Sequence, residues 1–434
     1  MNYYTRFVEN FSSYNCSSKG VIMVKVVLST ANVPIYRYTA QALEQAGLLK
    51  RYICTIALRE ESSIPPLVPE FWRKKLEAKR IKGIPYRKVV GLWLPELLQH
   101  ALPRTGLLSH ERTNWFINYL YDWLATYYID ECDIFHFMSG VGLYCARKVK
   151  AHKHNVILIC DVRQTHPDYQ IKILEEESQI LGIKAQIPGV LYVNRFKSEF
   201  LLSDFIIVPS LYVRETFVRE GIDPEKIFVV PYGFDPERFY AIPKEDKDDE
   251  VFRILFIGSI NLTKGVYYLI EAFTQLMLPK SELVLIGQID PSMQAIVKRS
   301  IEMNKCIKHI ANVPNIELFK YYNKASVFVL PSIVDAYALV VLEAMACGLP
   351  VIVTENVGSK ELIQEGVNGF VIPIRDINTL KERLLVLYQN KAKRLQMGYE
   401  ARQRVQEFTW DQYGKRLIRV YEEILKRVGF SKYE

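Results

Sequence analysis

The chain has 434 residues, with 56 Lys+Arg against 48 Asp+Glu and a formal net charge of +8. Hydrophobic residues make up 49% and charged residues 24%, which excludes a collagen-like chain, a coiled-coil rod and wholesale disorder. The length favours two domains of roughly 200 residues each, and a charge this modest does not by itself imply a nucleic-acid partner.

Twelve short β-branched runs alternate with helical patterns. The first six are Val24–Ser29, Tyr52–Leu58, Ile134–Phe137, Val156–Val162, Phe205–Pro209 and Ile227–Pro231. The second six are Arg253–Gly258, Glu282–Gly287, Ile307–Ala311, Val327–Pro331, Pro350–Thr354 and Phe370–Ile372. Runs that are apolar on both faces and separated by helices predict parallel strands covered by helices. Two such series predict an α/β protein with two doubly wound sheets. The polar, charge-dense segment Pro243–Glu250 reads as the loop between them. The expected organisation is an extension over 1–22, a first domain over 23–240, a second over 241–415, and a C-terminal helix over 416–434 that crosses back to the first. Met23 is an alternative start.

Seven cysteines, Cys16, Cys54, Cys132, Cys145, Cys160, Cys306 and Cys347, are scattered with no C-x-x-C pair. That argues against a zinc site and suits a reducing compartment. No run of 18 apolar residues and no leader-like N-terminus stand out, so a cytoplasmic protein is expected.

Ligands of doubly wound sheets bind at the carboxyl ends of the strands. Two such domains facing each other across a cleft suit an enzyme that holds one reactant on each. The most informative segment, Val327–Thr354, reads strand, loop, helix, turn, strand. A helix is expected from about Ala338 to Cys347. Its first N–H groups, around Ala338, Leu339 and Val340, make an anion site suited to a diphosphate. Asp335 precedes this helix and Glu343 lies about one and a half turns into it, where a carboxylate can accept hydrogen bonds from sugar hydroxyls.

This segment resembles the signature of family-four retaining glycosyltransferases (glycosyltransferase group 1) of the GT-B fold. In that signature two carboxylates eight residues apart precede Ala-Met-Ala-Cys-Gly-x-Pro-Val. Asp335 and Glu343 hold the two positions, which in the family contact the transferred sugar and the nucleotide ribose. Asp335 stands where the family usually has Glu, and Ala336-Tyr337-Ala338 where it often has Gly-Phe-Gly. A second match is Ile254–Gly265, in which Lys264 is expected to neutralise the diphosphate leaving group. The family's Arg, five residues earlier, is Ser259 here. The resemblance thus implies donor contacts at Gly258, Ser259, Lys264, Ala338, Leu339, Val340 and Glu343, with no metal and no other cofactor.

The first domain carries softer signals. The family often places a histidine after the strand that here is Val156–Val162, which puts His166 near the donor sugar. Arg163 is a candidate to offset the missing Arg. His136 reads equally as a core histidine or a site residue, and Asn32 stands near the place of the family's glycine pair. The stretch 70–90 holds eight basic residues (Arg73, Lys74, Lys75, Lys79, Arg80, Lys82, Arg87 and Lys88) against Glu70 and Glu77. With the neighbouring tryptophans, 70–98 reads either as a solvated face over an aromatic core or as a peripheral contact with an anionic membrane.

The resemblance implies transfer of a hexose, with retention, from a nucleotide diphosphate sugar to a glycan or lipid-linked acceptor. A sugar-nucleotide epimerase of the same fold and a noncatalytic binding protein are the rival readings. Asp246-Lys-Asp248 has a metal-like spacing but lies in the linker.

Overall fold

The computed structural model describes residues 24–31, 34–61, 70–77, 79–105, 110–129, 131–152, 155–242 and 250–429. The segment 1–22, Asn32 and the linker residues 243–249 with Asp246 and Asp248 lie outside the described residues.

In chain order the elements begin β1 (Val26–Ser29), α1 (Ile35–Gln45), β2 (Leu49–Cys54), β3 (Leu58–Arg59), α2 (Glu70–Glu77), β4 (Arg80–Ile81) and β5 (Val89–Gly91). They continue with α3 (Trp93–Thr105), α4 (His110–Ala125), β6 (Ile134–Met138), α5 (Leu143–His152), β7 (Ile157–Asp161), α6 (Pro167–Leu181) and α7 (Val190–Leu202). Next come β8 (Phe205–Val208), α8 (Leu211–Arg219), β9 (Ile227–Val229), β10 (Phe252–Ile257), α9 (Val266–Leu276), β11 (Ser281–Ile286), α10 (Gln294–Met303) and β12 (Ile307–Ile310). The last are α11 (Leu318–Lys324), β13 (Val327–Leu330), α12 (Leu339–Ala346), β14 (Val351–Thr354), β15 (Gly369–Ile372), α13 (Ile377–Gln389), α14 (Lys391–Val405) and α15 (Trp410–Arg427).

Two large sheets form, ordered β5-β2-β1-β6-β7-β8-β9 and β12-β11-β10-β13-β14-β15, with a small β3-β4 pair. In the six-stranded sheet every adjacent pair is parallel. The reason is visible in the side chains. Every residue of β11, β13 and β14 is buried, so both faces need a covering layer, and helical crossovers between parallel strands supply it. All twelve expected strands are present. β2 starts at Leu49, earlier than expected, because Leu49–Arg51 pairs with β1 despite its basic residues. β5, on the sheet edge beside β2, is an additional strand that follows Arg87 and Lys88 directly.

The chain groups into two compact units. One contains 1–160, 198–205 and 414–434, and the other 161–197 and 206–413. The second unit therefore takes in residues 161–197 and 206–240, which the sequence boundaries give to the first domain. From Gly414 onward α15 belongs to the first unit, where Gly414 lies against Ala42 of α1. Among the described residues no helix is long and apolar enough to cross a membrane.

Candidate functional site: the strand ends of the second unit

β10 and β13 are neighbours in the six-stranded sheet, and the loops at their carboxyl ends carry most of the residues singled out above. The loop after β13 is held from three sides. Ile333 N donates to Thr263 O at 2.8 Å, and Asn356 Nδ2 donates to Ile333 O at 2.9 Å. Asp335 N donates to Asn356 O at 3.0 Å, while Gly358 N donates to Asp335 O at 2.9 Å. Ser210 Oγ, the N-cap of α8, donates to Ala336 O at 2.9 Å. A Cβ on Gly358 would lie 1.9 Å from Ala336 O, so this close passage of two backbones requires glycine.

Lys264 ends a single helical turn after β10, just before Gly265, whose φ is +60°. A Cβ on Gly265 would stand 2.1 Å from Pro331 O. The two loops are thus pressed together, and Lys264 Nζ reaches Asp335 Oδ2 at 2.5 Å. The lysine and the first carboxylate of the signature form one ion pair, half-buried on the lysine side and more so on the aspartate. α6 packs on the Lys264 turn, and Ile173, Tyr212, Tyr268, Ile333 and Val334 form one apolar cluster beneath it. Burial first, and then the Tyr169 hydroxyl and the Asp335 charge, push the Tyr212 phenol far above its usual range.

α12 starts at Leu339, with Ala338 as N-cap and no capping side chain. Val341 N donates to Ala338 O at 3.1 Å, and the N–H groups of Leu339 and Val340 face the helix start, where an external acceptor can take them. Glu343 lies further along the same helix, and its Oε2 accepts a hydrogen bond of 2.8 Å from the Tyr322 hydroxyl of α11. Burial pushes the Glu343 carboxyl up to about 7, with Tyr322 and the Arg238 charge pulling the other way. The carboxyl is then only partly ionised at neutral pH. Gly258 follows β10 with φ +152°, and a Cβ on Gly287 would come within 2.0 Å of its carbonyl. Ser259 is exposed beside it. Gly258, Ser259, Lys264, Asp335, Ala338, Leu339, Val340 and Glu343 are thus gathered on the β10 and β13 loops and the helix that follows.

The remaining candidates stand elsewhere. His166 is the N-cap residue of α6 and only 4% exposed. Its backbone N donates to Thr216 Oγ1 at 3.0 Å, and its ring stands edge-on to Phe217. Burial pushes its pKa below the usual value against the pull of Asp168 and Glu220. His166, Asp168 and Glu220 place ligand-type atoms within 4.8 Å of one another, but Lys197 already sits on Asp168 at 2.5 Å. Arg163 is half-buried, and with Asp161 it acts on the buried Tyr232 phenol. His136 is a correction to the site reading: it lies within β6, is 0% exposed, and its Nδ1 is 2.6 Å from the Tyr421 hydroxyl of α15. It is a core histidine and presents no group to a ligand. Sequence reasoning missed Tyr322, Thr263, Asn356 and Ser210, because their contacts cross between elements and leave no spacing to read.

Two family models match adjoining stretches, "Glycosyltransferase Family 4" over residues 90–238 and "Glycosyl transferases group 1" over 238–404. A D-inositol 3-phosphate glycosyltransferase of Corynebacterium jeikeium is 27% identical over 179 residues, 39% of this chain and 43% of that protein. The chain spans about half the length of the curated relatives it matches. Among solved structures, sucrose-phosphate synthase from Thermosynechococcus elongatus superposes with a TM-score of 0.63 at 18% identity, covering 92% of this chain and 99% of that one. Anabaena HepE in complex with UDP does so with a TM-score of 0.63 at 15% identity, covering 92% and 100%. Family-model matches that run together from residue 90 to 404, on a chain with this strand-end motif, place it in the group 1 glycosyltransferase family, and the superposed structures share its GT-B fold.

Proposed function

We propose that the protein transfers a hexosyl group from a nucleoside diphosphate sugar to an acceptor hydroxyl, with retention at the anomeric carbon. The observation that carries this reading is the Lys264–Asp335 ion pair beside the uncapped start of α12. A diphosphate at the N–H groups of Leu339 and Val340 would draw Lys264 onto its oxygens and free Asp335 for a hydroxyl of the transferred sugar. Glu343, held by Tyr322, is placed one turn further along to accept from the ribose. Lys264 and the helix start supply the positive charge that the leaving group needs, so a metal-independent reaction is proposed. The absence of the family Arg at Ser259 leaves Lys264 a larger share of that charge.

His166 acts in this reading as a positioning residue, since it stands at the start of the helix that packs on the Lys264 turn. HepE structures hold UDP, UDP with glucose, and UDP-glucose, which supports a sugar nucleotide as donor. The test is incubation with UDP-, GDP- and ADP-hexoses, with and without sugar and lipid-linked acceptors, followed by NMR of the product anomer. Retained glycoside formed only with acceptor is expected. An epimerised donor appearing without acceptor would overturn the reading.

A further inference from the structure

Within the second unit, α6 carries a carboxylate that the donor chemistry does not use. Glu177 is 0% exposed, and both of its oxygens are taken. Oε1 accepts from the Tyr268 hydroxyl of α9 at 2.8 Å, and Oε2 accepts from Nε of Arg375, which follows β15, at 2.8 Å. Arg375 Nη2 also lies 3.5 Å from Glu176 Oε2. A buried charge is tolerated when it is paired and hydrogen-bonded. Here the partners come from two elements about 90 and 200 residues further along the chain.

Arg375 stands in a strained conformation. Its φ is +64°, in the left-handed region that glycine adopts freely and other residues do not. The other non-glycine residues with positive φ among the described residues, Glu250, Met277 and Lys280, are exposed. Arg375 instead closes on a buried group, and such strain persists where the surroundings over-determine it. Ile374 and Ile377, on either side of it, pack against the buried cluster that contains Ile173, Tyr268, Ile333 and Val334. This cluster borders both members of the Lys264–Asp335 pair. Val334 directly precedes Asp335. Tyr268 lies one turn after Lys264, and its N donates to Gly265 O at 3.0 Å.

We propose that the Glu177 carboxylate, clamped between Tyr268 and Arg375, fixes the first turn of α9 and thereby aims Lys264 at the donor diphosphate. The proposal rests on the reading of Lys264 given above. Glu177 is a positioning residue: fully buried, it acts through Lys264 and not on a reactant. Apolar burial has no direction, so the cluster by itself leaves α9 free to shift along α6. Two charge-assisted or hydroxyl hydrogen bonds to one carboxylate set distance and angle together. A displacement of about 1 Å in a positioned group is enough to lower a rate about 10²-fold. Well-packed apolar residues of similar volume stabilise a fold as well as a buried ion pair does, or better. What this pair adds is therefore direction.

The test is a double-mutant cycle between Glu177→Gln and Lys264→Ala in the full chain. It is read as the affinity for whichever of UDP, GDP and ADP binds the wild type most tightly, and as kcat and KM for the matching hexose donor. Glu177→Gln alone is expected to weaken diphosphate binding and to lower kcat/KM by about tenfold. Once Lys264 is alanine, it is expected to change either by less than about twofold, because the two act as one. Glu177→Leu/Tyr268→Phe/Arg375→Met removes the polar groups of the clamp together. It is expected to melt near the wild-type Tm yet to bind the diphosphate as weakly as Glu177→Gln, and it takes that variant's place in the cycle if Glu177→Gln does not fold. Wild-type affinity in either folded variant, an effect that persists in full beside Lys264→Ala, or a unit that unfolds in both variants overturns the proposal and leaves the clamp a structural contact. Lys264→Ala with wild-type affinity overturns the reading of Lys264 as well.

Discussion

Lys264 and Asp335 belong to different loops of the second unit, yet they share one ion pair of 2.5 Å, and this sets the sharpest expectations. Lys264→Ala is expected to lower kcat/KM by about 10²-fold or more, the scale for losing one preorganised charge or donor at a developing oxyanion, as read by release of nucleoside diphosphate. Asp335→Asn removes the competitor for Lys264, so it is expected to tighten nucleoside diphosphate binding while slowing transfer, which calorimetry and kinetics separate. Glu343 gives a pH prediction. Its carboxyl is raised to about 7 by burial, so the folded protein holds a proton that the unfolded chain has already lost. Stability from this group is full below the unfolded carboxylate range and falls as pH rises toward and through about 7, by on the order of 3 kcal/mol. Glu343→Gln is expected to flatten the Tm profile between pH 5 and 8. Since the ionised carboxylate is the stronger acceptor for a ribose hydroxyl, donor affinity in the wild type is expected to weaken as pH drops below 7. The sequence showed Asp335, Glu343 and Lys264 as separate motif positions. It showed neither their pairing nor Tyr322, because Glu343 meets its partner across two helices.

The elements around the site explain why its loops are so rigidly shared. Gly265 and Gly358 each admit another backbone at a distance that any Cβ would block. Gly358→Ala is expected to cost about 2 kcal/mol or more and to reduce turnover well beyond what the lost stability explains, as compared by denaturant melts and single-turnover assays. Ser210 works at two points, capping α8 through Val213 N and holding Ala336 O. Ser210→Ala is expected to destabilise by about 1–2 kcal/mol and to raise KM for the donor. Strands with two buried faces, such as Val327–Leu330 and Val351–Thr354, were legible because nothing polar interrupts them. β5 was not, because its three residues share one apolar run with the start of α3, and nothing in that run marks where strand ends and helix begins. His136 looked like a strand-end group, but it sits in mid-strand, and its partner Tyr421 is 285 residues away. No local pattern reports such a pair.

At the scale of the molecule, part of the basic stretch of the first unit is held internally, Lys79 by Glu96, Lys88 by Glu44 and Arg80 by the carbonyls of Arg59 and Glu60. A cognate sugar nucleotide at 100 times its Kd should stabilise the fold by about 2.7 kcal/mol, so a thermal-shift series over the three nucleotide bases identifies the donor, and added chelator is expected to leave both shift and turnover unchanged. The interleaving of the units along the chain bears on how the protein comes to be made. Residues 414–429 help build the first unit, where Tyr421 closes on His136. A ribosome adding about 5–20 residues per second delivers them roughly 10–40 s after Phe205, with about two hundred residues in between. During that interval the nascent first unit holds a buried histidine site without its tyrosine and an open flank at Ala42. A chain ending before residue 414 is therefore expected to lose stability in the first unit rather than the second, as limited proteolysis would read.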